Sequence, residues 1–305
     1  MKLHHLRDFL AIIENGSISA AAKQLGIAQP SLSRSIRELE ADVGAPLIER
    51  HARGIELTPM GQSFARRASS AVTELRRGRD EIEQMLGRTV GSVTAGVSGM
   101  SHIALLSEAL RPFRQRYPKV QLNIEEGTYP VIESRMRDGT IDLYVGPEPE
   151  AGCPPEFRSE TLLMSTRVVM ARRGHPLAHA RSLAELLNAD WMTTSIADRG
   201  ETEFRALFEL HGLPVPRLSM RVMSSLSILV SLLHGDVLAI TTKNWAQWQP
   251  MRDRLVVIDV KEHIAAPAVV LMHRAAVPPT PAAEYLCDML RRAAVHYSRS
   301  GDMPD

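Results

Sequence analysis

A single glycine between two short helical patterns constrains this chain more than any other feature. Leu6, Phe9, Leu10 and Ile13 recur at helix spacing before Asn15-Gly16 ends the run. Ser17 then offers an N-cap for a second helix over 18–25, rich in alanine and so able to pack closely. Gly26 follows, a residue free to take the left-handed conformation that a tight interhelical turn needs. A third helix is predicted over 29–43, with Pro30 tolerated in its first turn, where amide donors have no intrahelical partner. Its apolar positions Leu32, Ile36, Leu39 and Val43 make one stripe expected to be buried. Two short helices joined by such a turn form a helix-turn-helix, whose second helix enters the DNA major groove by its N-terminal end.

The other face of that third helix has the chemistry for reading bases. Arginine bonds guanine bidentately, glutamine pairs with adenine and serine reaches phosphate. The expected DNA-reading set is Gln29, Pro30, Ser31, Ser33, Arg34 and Arg37. The acids Glu38, Glu40 and Asp42 lie in the C-terminal half. This order opposes the helix macrodipole, as expected if the N-terminal half must meet phosphate; the alternative is a solvated face with accidental charge order. Residues 47–57 read as a small β-hairpin with Arg53 at its tip, a further phosphate contact.

Thr58-Pro59 opens a long helix with no breaker before Gly87, roughly 42 Å at 1.5 Å per residue. Phe64, Ala68, Val72, Leu75, Ile82 and Leu86 make a thin apolar seam on it. So narrow a seam suits pairing with its twin; the alternative is a connector packed on its own domain.

Beyond residue 90 the pattern alternates. Strands at 90–97, 120–126 and 141–146, with helices at 103–116 and 131–138, make two βαβ steps and predict a parallel sheet. Further strands are expected at 167–171, 191–194, 218–222, 237–241, 255–260 and 268–273. Helices are expected at 183–187, 202–211, 226–234, 244–249 and 282–297. Two α/β lobes of about a hundred residues each account for this length.

Composition narrows the function. In 305 residues, 36 Lys+Arg against 35 Asp+Glu leave a net charge of +1, which excludes polyanion binding along the whole chain and requires a local patch. Two cysteines exclude a disulfide scaffold and a four-thiolate metal site, and fit a reducing compartment. No apolar h-region precedes Glu14 and no stretch reaches membrane-span length, so no signal peptide and no membrane are expected, and the location reads as cytoplasmic. An enzyme is the main rival. Gly96-Val97-Ser98-Gly99 superficially matches a nucleophile elbow, but G-x-S-x-G fails at Met100. Neither a Walker A sequence nor G-x-G-x-x-G occurs. His175 and His179 stand four apart with no carboxylate or thiol at ligand spacing, and read as surface histidines, as does His4-His5. No cofactor, metal or catalytic residue is expected. A transport solute-binding protein would explain the lobes but leaves residues 1–87 unexplained.

Residues 1–60 resemble the winged helix-turn-helix of the LysR-type transcriptional regulators. Leu6, Phe9, Gly16-Ser17, Ala21-Ala22, Leu25, Gln29-Pro30, Ser33, Ile36, Leu39-Glu40, Gly44, Leu47, Arg50, Leu57-Thr58 and Gly61 carry the likeness. Ala28 stands where the family often has serine, which weakens the helix cap, and Ile48 replaces a common phenylalanine. The resemblance implies an α/β chain in three parts. They are a winged helix-turn-helix over 1–58, a dimerising linker helix over 59–87 and an effector-binding domain over 88–305. The last has two lobes similar to a type 2 periplasmic binding protein, lobe I at about 88–161 and 267–305 and lobe II at about 162–266. It further implies a homo-oligomer, a dimer of dimers, on an interrupted inverted repeat in double-stranded DNA. A contact with RNA polymerase and a small-molecule effector between the lobes are implied as well. Activation and repression use the same parts and stay open.

In open α/β lobes, ligands sit beyond the carboxyl ends of strands, where helices begin. Small hydroxyl and glycine residues at such places are Ser98, Gly99, Ser101 and Thr128 in the first lobe and Ser195, Ser224 and Thr241 in the second. Hydroxyls beside free amides favour an anion, so a carboxylate or sulfonate is expected, with Arg199 and His102 able to add charge. The Gly146-Pro147 strand ending resembles a branch of the family that includes regulators of aromatic acid and sulfonate breakdown.

Overall fold

The computed structural model describes residues 1–51, 54–194 and 199–301. Two compact units adjoin in sequence at Gly91 and Ser92.

The first unit runs α1 (Leu3–Asn15), α2 (Ile18–Leu25), α3 (Gln29–Val43), β1 (Ile48–His51), β2 (Gly54–Leu57) and α4 (Pro59–Met85). The Ser17 hydroxyl accepts the Ala20 amide at 3.2 Å and so caps α2. Gly26, at φ 66°, ends that helix in the left-handed region. Ala28 makes no side-chain cap for α3, as the sequence implies. Phe9, Ile12, Leu32, Ile36, Leu39 and Leu47 are fully enclosed. At about 1.5–3 kcal/mol for each buried large apolar side chain, this small core holds the three helices together. Val43 departs from the expected stripe: at the open end of α3, with no element over it, it is exposed.

The elbow between α3 and the hairpin is tied by side chains. Glu40 Oε1 accepts the amides of Leu47 at 2.7 Å and Ile48 at 3.2 Å. Thr58 donates its hydroxyl to the Pro46 carbonyl at 2.7 Å and accepts the Gly61 amide at 2.9 Å. Gly61 must be glycine here, because a Cβ would lie 1.9 Å from the Leu47 carbonyl oxygen. The second hairpin strand leans on the α1–α2 turn, where the Ile55 amide donates to the Gly16 carbonyl at 3.2 Å.

The apolar seam of α4 divides. Ala68 is buried, and Phe64 and Val72 pack against the same core as α1–α3. Leu75, Ile82, Met85 and Leu86 are exposed. The first half is therefore a connector packed on its own domain, and only the second half is left for a partner.

The second unit holds two five-stranded sheets. Lobe I contains β3 (Ser92–Val97), α5 (Gly99–Ser101), a π-helical turn (His102–Leu106), α6 (Ser107–Arg116), β4 (Gln121–Glu126), α7 (Tyr129–Arg137), β5 (Leu143–Pro147) and β6 (Phe157–Leu163). The chain then builds lobe II from β7 (Arg167–Arg172), a 3-10 turn (Leu183–Leu186), β8 (Asp190–Thr194), α8 (Arg199–Leu210), β9 (Leu218–Val222), α9 (Ser225–His234), β10 (Val237–Thr242), α10 (Asn244–Gln247) and β11 (Leu255–Ile258). It returns to lobe I with β12 (Val269–Arg274) and α11 (Pro281–Gly301).

The strand orders are β4-β3-β5-β12-β6 in lobe I and β11-β7-β10-β8-β9 in lobe II. β3 is parallel to β4 and β5, but β12 runs antiparallel to both β5 and β6. In lobe II, β8 is parallel to β9 and β10, whereas β7 is antiparallel to β10 and β11. The expected parallel sheets are therefore mixed, because the connection between lobes reverses chain direction. β6 has no counterpart among the expected strands. It is an edge strand whose middle, Arg158 to Thr161, is exposed and polar, so it carries no hydrophobic alternation. His175 is also unlike its expected surface state: it is buried, and its Nδ1 accepts the Leu177 amide at 3.1 Å within a tight turn.

Candidate functional site

The first candidate surface is the open face of α3. Gln29, Pro30, Ser31, Arg34 and Arg37 are exposed and Ser33 is half-buried. Arg34 Nε donates to Glu38 Oε1 at 2.7 Å, one helical turn on, and Arg37 Nε donates to the Ser33 carbonyl at 3.3 Å. The Arg34 guanidinium holds the Glu38 carboxyl below its usual range. Both arginines thus lie on the solvent face of α3. Arg53 lies outside the described residues.

Each acid in the second half of α3 has a structural partner. Glu38 takes Arg34, Glu40 takes the hairpin amides, and Asp42 takes the Met1 amino group at 2.6 Å, which holds its carboxyl low. His5 corrects its expected surface position. It is buried under α3, with Nε2 3.4 Å from Glu38 and Nδ1 3.9 Å from Asp42. Sequence reasoning also missed Ser35, whose hydroxyl bonds Asp8 and fixes α3 on α1. Helical periodicity gives no warning of it, since a small polar residue between Leu32 and Leu39 reads as filler.

The second candidate region lies in the other unit, where lobe I meets lobe II. Ser98 follows β3 and caps α5; its hydroxyl pairs with that of Ser101 at 2.9 Å, and both residues are buried. His102 Nδ1 donates to the Ser98 carbonyl at 3.0 Å. Gly99 packs directly on lobe II: a Cβ there would sit 1.8 Å from Ser225 Oγ. Glu126 Oε1 accepts the Ser225 amide at 2.8 Å. Ser224 caps α9 by accepting the Ser227 amide at 3.1 Å. Thr128 opens α7, its carbonyl accepting the Val131 amide at 3.0 Å, and Thr241 is half-buried on β10. Ser195 and the Arg199 side chain lie outside the described residues.

The structure thus brings Gly99 to the start of α9, next in sequence to Ser224, with Ser98 and Ser101 paired beside it. It adds two residues that sequence reasoning missed. One is Glu126. The other is Asn244, which is buried and donates Nδ2 to the Met100 carbonyl at 3.3 Å.

Two cavities open in the same unit. One of about 520 Å³ is lined by Arg167, Met192, Thr193, Ile240, residues 263–267 and the inner side of α8. Another of about 500 Å³ is lined by Tyr129, Glu133, residues 149–152, Pro154, Thr202 and Glu203. Among the described residues, none of the expected hydroxyl positions lines either cavity.

Other chemistry finds little support. Cys287 is enclosed in the lobe I core, and burial pushes its thiol up to about 12, so it stays protonated at neutral pH. Among the described residues no cluster of three metal-ligating side chains occurs, and no helix is long and apolar enough to cross a membrane.

Comparison with known proteins agrees with this architecture. Residues 3–62 match the bacterial regulatory helix-turn-helix pattern of the lysR family, and residues 87–295 match the LysR substrate binding domain. The transcriptional regulator GbpR of Rhizobium radiobacter is 28% identical over 250 residues, 81% of this chain and 83% of the relative. The regulator TdcA of Escherichia coli K12 is 26% identical over 239 residues, 78% of this chain and 76% of the relative. The crystal structure of CbnR, a LysR family transcriptional regulator, superposes with a TM-score of 0.71 at 21% identity, covering 96% of this chain and 99% of that one. CbnR complexed with its target DNA superposes with a TM-score of 0.69 at 23% identity, covering 96% and 100%. With a helix-turn-helix at one end, a substrate-binding domain over most of the remainder and the fold of full-length regulators throughout, the chain belongs to the LysR family of transcriptional regulators.

Proposed function

We propose that the protein binds an interrupted inverted repeat in promoter DNA as a homo-oligomer and changes transcription when an organic anion enters its C-terminal domain. The exposed N-terminal face of α3 carries this reading: Gln29, Ser31, Arg34 and Arg37 stand on a helix whose opposite side is locked into a core. They are the residues assigned to base and phosphate contacts, with Pro30 and Ser33 shaping the helix start and Arg53 reaching the adjoining backbone.

One helix-turn-helix covers too little DNA for tight, specific binding, so two must be tied at fixed spacing. The exposed Leu75, Ile82, Met85 and Leu86 on the far half of α4 supply an apolar edge for that pairing. A dimer of dimers, a contact with RNA polymerase and a cytoplasmic location complete the proposal. Catalysis has no part in it.

Ser98, Gly99, Ser101, Thr128, Ser195, Ser224 and Thr241 are assigned to the effector region. What supports Ser98, Gly99 and Ser224 is their place at a strand end and at helix starts where the two lobes meet; Thr128 precedes α7, and Ser195 and Thr241 rest on the sequence pattern. The test is retardation of a duplex spanning the promoter region beside the protein's own gene, with and without a panel of carboxylates and sulfonates. A retarded complex whose mobility or affinity shifts with one of these acids is the expected result. Failure to discriminate that duplex from random DNA sinks the DNA reading. An unchanged complex across the panel sinks the effector class.

A further inference from the structure

Glu38 stands between the exposed face of α3 and the core beneath it. Its Oε1 accepts Arg34 Nε at 2.7 Å, and its Oε2 lies 3.4 Å from Nε2 of His5 on α1. His5 is 2% exposed, and neither of its ring nitrogens makes a hydrogen bond among the described residues. From α3 it faces Glu38 and Asp42, the latter 3.9 Å from Nδ1. From its own helix it meets the His4 ring, with centroids 4.3 Å apart. Lys2 acts on both carboxylates and the Met1 amino group on Asp42. Among the described residues, no other carboxylate comes within ion-pair distance of His5.

Helix stability does not account for this arrangement. An acid four residues before a base supports a helix better than the reverse order, and here Arg34 precedes Glu38. Burying an imidazole with both nitrogens unpaired costs stability as well. What the arrangement supplies is order at Arg34, whose side chain is 78% exposed. A long arginine in open solvent gives up rotamer freedom when it meets a base, and one that is already fixed gives up less. Glu38 holds the guanidinium by Nε alone. Among the described residues Nη1 and Nη2 have no protein partner, and these are the donors left for O6 and N7 of a guanine. A lone surface carboxylate would itself move, but the imidazole against Oε2 restrains this one from below.

We propose that Glu38 is a positioning residue for base reading. Held from beneath by His5, it presents the Nη edge of Arg34 to a guanine, so that the specificity of α3 depends on a buried residue of α1. The proposal rests on α3 as the DNA-reading helix and deepens that reading by naming what aims its arginine.

The experiment selects bound duplexes from a random-sequence library with the full chain. The selected duplex and its single-substituted forms are then titrated with parent and variant proteins, each checked for folding by circular dichroism. Arg34→Ala is expected to abolish the preference for guanine at one pair of each half-site. Glu38→Ala should lower discrimination at that same pair by about two- to tenfold, the worth of one ordered side chain, and leave the other pairs unchanged. Glu38→Gln, which keeps an oxygen to accept Nε, should retain more discrimination than Glu38→Ala. Neither should add to the effect of Arg34→Ala. His5→Phe, or His5→Met should the first fail to fold, should repeat the loss at that pair and add nothing to Glu38→Ala. His5→Gln, whose amide can donate to Oε2, should keep the discrimination. A uniform change at every pair would make Glu38 a charge felt by phosphate and overturn the positioning. Loss at a different pair would make it a reader of cytosine in its own right and overturn it too. Full discrimination in His5→Phe or His5→Met would overturn the dependence on α1. An Arg34→Ala protein that selects the parental sequence fells the reading of α3 itself. An effect of Arg34→Ala without one of Glu38→Ala overturns the positioning alone.

Discussion

Glu126 and Ser225 stand 99 residues apart, one ending the second strand of lobe I and the other opening a helix of lobe II, yet the carboxylate accepts the Ser225 amide at 2.8 Å. A carboxylate at a helix N-terminus satisfies an orphan donor and complements the dipole. Glu126→Ala should cost about 0.3–1 kcal/mol, the range for exposed helix-end charges. The sharper readout is local: hydrogen exchange at the first amides of α9 should accelerate while the lobe II core keeps its protection. Unchanged exchange there would mean that the contact does not hold the lobes together in solution.

Base reading and backbone holding should separate by mutation. Arg34→Ala is expected to cost roughly 1–3 kcal/mol at one operator position and to relax discrimination there. Arg53→Ala should weaken all sequences alike and lower the salt slope by about one unit. Titrations of both variants against operator and single-substituted duplexes decide it. An Arg34→Ala protein with parental discrimination would remove α3 from the major groove.

Two substitutions on α4 should give opposite failures. Leu75 is 57% exposed, so Leu75→Glu should leave the first unit folded and weaken self-association and operator binding together. Ala68 is 2% exposed, so Ala68→Glu should unfold that unit. Sedimentation velocity with circular dichroism distinguishes them, and a Leu75→Glu protein that sediments as the parent does would place the self-contact elsewhere.

The Gly61 prediction is steric. A methyl group at that position would overlap the Leu47 carbonyl, which itself accepts the Thr58 amide at 3.1 Å. The backbone must yield, and Gly61→Ala should destabilise the first unit by about 1–3 kcal/mol in urea unfolding. An unshifted midpoint would show that α4 can back away from the elbow without cost.

Glu38 sets a pH dependence. Its folded carboxyl titrates below its unfolded value of 4.5, chiefly through the hydrogen bond from Arg34. Its contribution is therefore present above that pH and is lost as pH falls through the folded value. Glu38→Gln should flatten the acid side of the stability profile relative to the parent. Parallel profiles between pH 6 and 3 would assign the acid sensitivity to other carboxylates.

The parts of this molecule that local chemistry determines were legible in advance. Ser17, Gly26 and Thr58-Pro59 mark helix ends by capping and backbone freedom, and α2, α3 and the start of α4 lie at those marks. The recognition face follows from periodicity, because the positions that Leu32, Ile36 and Leu39 leave outside are the ones able to meet DNA. Illegible were features that depend on distant chain. His5 looks like surface beside His4 and Arg7 until α3 covers it. Glu126, Asn244 and the Arg167–Glu203 pair acquire meaning only from partners 36 to 144 residues away. β6 escaped for a different reason, since an edge strand need not be apolar.

The insertion of β12 between β5 and β6 has a bearing on synthesis. β5 and β6 are translated early, but the strand that separates and pairs with both begins at Val269, about 100 residues after β6 ends. At roughly 5–20 residues per second the growing chain carries two unpaired strand edges for about 5–20 s, while all of lobe II passes out of the ribosome. Lobe II, continuous in sequence from β7 to β11, closes its own sheet in that interval. The polar middle of β6 then does a second service: through the wait it offers neighbouring nascent chains a charged edge instead of a sticky one.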